Sequence, residues 1–107
     1  MKSPLLLDLI HQLNSLPAPI WKTVAKKLER GAEVNVSRIE RYTKKGDIVV
    51  VPGKVLGSGT ITKPVTVGAW AVTAAAREKV KSAGGKCVGI ETLAKKNPKG
   101  SGLKILE

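Results

Sequence analysis

The sequence predicts an α/β fold: a single small domain with short strands, preceded by an N-terminal helical segment. Three observations lead there. From residue 32 onward extended and helical patterns alternate, as in chains that wind helices over a sheet. The first 31 residues carry two helical repeats and no strand pattern. A length of 107 residues allows one core of modest size and no second one. The expected division is a helical segment over residues 1–31 and a strand-and-helix core with a basic tail over residues 32–107, together one domain.

Ser3-Pro4 reads as an N-cap followed by a proline in the first turn, and Leu6, Leu9, Ile10, Leu13 and Leu16 recur at helical spacing, predicting a helix to about Asn14. "LPAP" at residues 16–19 breaks it. Pro19 can open a second helix, with Ile20, Val24 and Leu28 on one side and Gly31 as its stop. Lys22, Lys26, Lys27 and Arg30 take the other side of that helix. Residues 32–47 predict a brief extended piece and a helical turn. Ile48–Val51 is a continuous apolar run, as in a strand covered on both faces, and Pro52-Gly53 is expected to end it. A second strand is expected over about residues 65–70, with Val65, Val67 and Ala69 on one side and Thr66 and Gly68 on the other. Thr73 suits the N-cap of "AAAREKVKSA", which Gly84-Gly85 stops. A short strand at "KCVGI", a short helix to Lys96, a break at Asn97-Pro98 and a last strand at "LKILE" complete the order.

Lys and Arg number 19 against 8 Asp and Glu, for a formal charge of +11. A polyanionic partner is the first expectation from such a balance. Residues 21–45 hold eight basic and three acidic side chains, the densest basic block before the tail. No apolar run approaches the ~20 residues of a membrane span, and the opening lacks the pattern of a signal peptide, so a cytosolic chain is expected. The single cysteine, Cys87, excludes an intrachain disulfide and a thiolate zinc cluster.

"VVVPGKVLGSGT" sets Gly53, Gly57 and Gly59 around Lys54. Such a loop lets main chain approach another surface closely and can turn its N–H groups toward phosphate oxygens. A nucleotide loop is disfavoured, since neither the phosphate-loop spacing nor the dinucleotide fingerprint is present and "TKP" leads into a strand. A tight turn between strands, holding no ligand, is the competing reading.

"GDIVVVPGKVLGSGTITKPVTVGAW", "AREKVKSAGGK" and "NPKGSGLKI", with "IWKTVAKKLE" and "VNVSRIERY" before them, give the chain from Ile20 onward a register that resembles a known family. This is the archaeal and eukaryotic large-subunit ribosomal protein family L eighteen e, related to bacterial L fifteen. The resemblance implies a structural, non-catalytic constituent of the large ribosomal subunit, located on cytoplasmic ribosomes, with a core of irregular strand-strand-helix turns. It implies large-subunit ribosomal RNA and neighbouring large-subunit proteins as partners, and no cofactor, metal, membrane or small-molecule substrate. The residues expected to touch RNA are Lys22, Lys26, Arg30, Asn35, Arg38, Arg41, Lys44, Lys45, Lys54, Gly57, Ser58, Gly59, Lys63 and Lys99. In that setting Gly53, Gly57 and Gly59 would admit folded RNA, Ser58 would bond phosphate or ribose, and the lysines and arginines would neutralise phosphate. Lys95, Lys96 and Lys104 extend the tail patch, of which about half is expected to touch RNA and the rest to be solvated. Between Arg30 and Val34 the chain has only "GAE", where the family has a longer basic connection.

Tyr42 can stack on an unpaired base or pack in the core. Trp70 is expected in the core, and Trp21 is left open between core and surface. Catalysis has little support: His11 has no evident partner, Cys87 reads as a small buried hydrophobe unless Lys86 lowers its pKa, and the carboxylates are scattered among lysines that they would balance, Glu29 and Glu40 among them. The alternative function is a free-standing, non-specific RNA- or DNA-binding protein, which charge alone does not separate from a ribosomal one.

Overall fold

The structure, a computed structural model, describes residues 3–107. Two helices come first, α1 (Pro4–Asn14) and α2 (Pro19–Arg30). The order then runs β1 (Ala32–Asn35), α3 (Val36–Tyr42), β2 (Ile48–Leu56), β3 (Thr66–Val72), α4 (Ala74–Ser82), β4 (Lys86–Gly89), α5 (Ile90–Lys96) and β5 (Leu103–Ile105). The strand–helix winding builds one sheet in which every paired strand is parallel. β2 lies between β3 on one edge and two short strands on the other, where β5 pairs with Ile48–Val50 and β1 with Gly53–Leu56. β4 closes the far side of β3.

The sheet is buried from both sides. Val34, Val49, Val51, Val55 and Val67 meet Val36 and Ile39 of α3 and Ala76 and Val80 of α4. On the opposite face Val50 meets Leu13, Trp21, Val24, Leu28, Ile90 and Leu93 from α1, α2 and α5. Three layers result, and the uninterrupted valines of β2 follow from being covered twice. The caps stand where the sequence placed them: the Ser3 hydroxyl accepts from the Leu6 N–H, the Thr73 hydroxyl from the Ala76 N–H, and Gly84 takes a φ of 88° after α4.

Two expectations are corrected. β2 does not stop at Pro52-Gly53 but continues to Leu56. Its register against β3 shifts between Val51 and Lys54, and this irregularity absorbs the proline, which has no N–H for a ladder. At Gly53 a Cβ would lie 2.1 Å from the Ala32 carbonyl oxygen, so glycine there is what lets β1 pair. Trp70 is not in the core: it lines an open groove beside the starts of α1 and α5 and is 40% exposed. Trp21 is the core tryptophan, fully buried, with its indole N–H donating to the Asn97 carbonyl at 2.9 Å. That bond ties α2 to the turn before β5.

Candidate nucleic-acid interface

The glycine-rich segment after β2 is strapped to its own chain. The Ser37 N–H donates to the Ser58 carbonyl, and the Ser58 N–H to the Asn35 side-chain oxygen, both at 3.3 Å. The Lys79 ammonium reaches from α4 to the Gly57 and Gly59 carbonyls, each at 2.6 Å. The Glu40 carboxylate accepts the Thr62 N–H and hydroxyl, and the Lys63 ammonium donates to the Glu40 and Thr43 carbonyls at the end of α3. A Cβ at Gly57 would stand 2.7 Å from that of Ala75, and one at Gly59, where φ is 95°, 2.3 Å from that of Ser37. The close approach that these glycines permit is thus to α3 and α4. Gly53, buried against β1 within β2, is no part of an open loop and does not face outward toward any ligand.

Glu40, expected to balance basic neighbours, also anchors Thr62; those bonds, with the Lys63 charge, hold its carboxyl below the ordinary value. Asp47 is lowered by the Lys104 ammonium at 2.9 Å and by the Lys44 N–H at 2.8 Å. Cys87 is half-buried against the α3–α4 core. Burial raises its thiol pKa, opposed in part by the Arg77 charge, so the lowering considered for Lys86 does not prevail.

All but Arg38 of the residues expected to touch RNA fall into three groups. Lys22, Lys26 and Arg30 are exposed on successive turns of α2 and form one stripe. Asn35, Lys54, Gly57, Ser58 and Gly59 lie where β1 and β2 end, with Lys54 and Ser58 exposed. Lys54 sits in β2 opposite Glu33 of β1, outside the loop itself. The third group stands at the other end of the sheet. Each of β1, β3 and β4 runs into a helix that must return before the next parallel strand, so α3, α4 and α5 all end where strands begin. Arg41, Lys44, Lys45, Lys63 and Lys99 gather there.

Arg38, in the first turn of α3, is separate from these groups and lies over the Tyr42 ring, 5.1 Å from its centroid. Tyr42 is 48% exposed, which rules out the core alternative for its ring. The parallel topology adds cations to the strand-start end that local reading had not joined: Lys81 at the end of α4, Lys86 opening β4 and Lys96 at the end of α5. Among the described residues, Lys27, Lys95 and Lys104 pair with Glu107, Glu91 and Asp47, while Lys63 and Lys79 cap carbonyls. Lys44, Lys45, Lys81, Lys86, Lys96 and Lys99 are exposed, and their ammonium groups make no such bond. Placement beside helix carboxyl ends suits their charge to the helix dipoles, yet leaves the ammonium groups in solvent.

Comparison with known proteins matches residues 19–88 to the family of ribosomal proteins described as 50S-L15, 50S-L18e and the 60S protein L twenty-seven A. The large ribosomal subunit protein eL18 of Archaeoglobus fulgidus is 55% identical over 93 residues, covering 83% of this chain and 80% of that protein. The eL18 of Methanococcus maripaludis is 50% identical with 83% and 78% covered, and that of Methanospirillum hungatei 44% identical with 97% and 93% covered. With the family matched from α2 to β4 and these relatives spanning most of both chains, the chain belongs to this family of large-subunit ribosomal proteins, which are structural constituents and not enzymes.

Proposed function

We propose that this chain binds and stabilises folded ribosomal RNA within the large subunit, on cytoplasmic ribosomes, chiefly through the basic end of its sheet. The observation that carries the reading is the set of lysines at that end, Lys44, Lys45, Lys81, Lys86, Lys96 and Lys99, which are exposed and, among the described residues, stand in no ion pair. A phosphate backbone releases counterions to such a surface and relieves the repulsion of a +11 chain. Arg41 adds a planar fork suited to phosphate, and the α2 stripe of Lys22, Lys26 and Arg30 a second line of contact. At the far end Ser58 and Lys54 contact RNA; Asn35, Gly57 and Gly59 hold the loop that carries Ser58 in place, and Lys63 ties the chain after it to the end of α3. Arg38, stacked on Tyr42, offers a guanidinium whose position is already set. Neighbouring large-subunit proteins are the remaining partners.

The test is binding of the chain to large-subunit rRNA fragments across a salt series, with sedimentation of the chain in cell lysate. Affinity falls at least about tenfold between roughly 50 and 200 mM salt, and Lys44→Ala with Lys45→Ala lowers the salt slope by about two. The chain remains with the large subunit through a high-salt gradient. An unchanged slope removes the basic end from the interface. Migration away from the subunit, or with bulk DNA, replaces the reading with a free nucleic-acid binder.

A further inference from the structure

Opposite the basic end, where β3 and β4 finish, lies a surface groove of about 320 Å³ between the start of α1 and the start of α5. Leu5, Leu9, Trp70 and Ile90 give it apolar walls, and Asp8 and Glu91 stand among them. Leu5 is 75% and Trp70 40% exposed, two of the four large apolar side chains, with Leu7 and Tyr42, that stand exposed among the described residues. A tryptophan on the uncovered end of a sheet, with a leucine facing the same depression, costs solubility unless something covers it. In a chain of net charge +11, no lysine or arginine among the described residues lines this groove, and both of its charged lining groups are acidic. Among the described residues Asp8 accepts only from Gln12, at 2.9 Å, and Glu91 meets Lys95 at 3.2 Å in an exposed pair of small strength. Both carboxylates remain at the surface.

Phosphate is repelled from such a place. We infer that the groove is a docking site for a protein segment that combines an apolar anchor with a lysine or arginine, supplied by a neighbouring protein of the large subunit. The anchor packs on Trp70 and Leu5, and the cation sits between Asp8 and Glu91. Tryptophan at the centre of a small apolar patch with charge at its rim is the pattern by which few residues carry most of a contact's energy. The molecule then has two working ends, RNA at the strand starts and protein at the strand ends. This rests on the chain's place in the large subunit.

The experiment places a photo-crosslinker in the groove, Trp70→p-benzoylphenylalanine, in chain expressed in its own cells, and irradiates purified large subunits. The expected product is a crosslink to one protein segment bearing apolar and basic side chains, identified by mass spectrometry of the joined peptides. Asp8→Lys with Glu91→Lys, added to the crosslinking chain, lowers its yield about tenfold, because like charges now face each other. The milder Asp8→Asn with Glu91→Gln pair lowers it less, and affinity for rRNA fragments does not fall in either, since both raise the net positive charge. Melting of each variant, alone and before assembly, separates lost docking from lost folding. Crosslinks to rRNA, to a second copy of the chain, or to nothing overturn the inference, as does a yield indifferent to both acidic substitutions in folded protein. A chain absent from the large subunit overturns the ribosomal reading itself, an outcome that sedimentation distinguishes before irradiation.

Discussion

A single glycine illustrates how a motif that suggests a ligand can instead serve packing. Gly59 has a φ of 95° and no room for a Cβ against Ser37, so a side chain there is strained in its backbone and in its contact. Gly59→Ala is expected to lower the stability of the chain without RNA by about 2 kcal/mol, read from urea unfolding. Unchanged stability with weakened RNA binding would return that glycine to the contact surface. Lys63 is comparable. Its charge and the family resemblance suggested phosphate, but its ammonium is committed to the Glu40 and Thr43 carbonyls at 2.7 and 2.8 Å. Lys63→Met removes both bonds and is expected to cost about 2 kcal/mol, with no change in the salt slope of RNA binding. The loop motif itself was plain in the sequence. Which surface its glycines approach was not, because α3 and α4 come from segments about 20 residues away on either side.

At the level of elements, the helices were legible because their signals are local: Ser3 and Thr73 cap, Pro4 and Pro19 open, and Gly31 and Gly84 stop. β2 was underestimated because Pro52-Gly53 ordinarily ends a strand, whereas here the register shift toward β3 and the approach of Ala32 keep pairing on both edges. Its first residues pair with β5 in the ladder, and Asp47, just before them, adds an ion pair with Lys104. The folded carboxyl of Asp47 titrates below its ordinary value, held down first by Lys104 and then by the Lys44 N–H. A lowered folded pKa contributes stability above the unfolded value and loses it as pH falls through the folded one. Urea midpoints of the parent chain are therefore expected to fall in acid more steeply than those of Asp47→Asn. Parallel curves for the two would show that the pair contributes nothing to folding.

Over the whole molecule the charge is unevenly placed. Lysines collect where strands begin and helices end, while Asp8 and Glu91 flank the groove at the opposite end. A free chain at +11 repels itself, and salt screens that repulsion over about 10 Å near 0.1 M. The melting temperature of the isolated chain is thus expected to rise as KCl goes from about 10 to 200 mM, while its RNA affinity falls over the same range. A melting temperature that falls with salt would mean that attractive pairs such as Lys27–Glu107 outweigh the net charge.

By itself the sequence determined the α/β class, the order and approximate limits of most elements, the excess of positive charge and the family resemblance, since each resides in local spacing or composition. Tertiary structure alone decided that Trp21 is buried and Trp70 exposed: both are large aromatic residues in apolar surroundings, but Trp21 packs among residues of α1, α2 and α5 while Trp70 faces an open groove. It likewise decided which cations are free. Lys63 and Lys79 read as surface charges until the loop after β2 folds against α3 and α4, and Lys44, Lys86 and Lys99 are distant in sequence until parallel pairing brings strand starts to one end. Local chemistry sets what a segment is able to form, whereas the neighbours that complete it come from elsewhere in the chain.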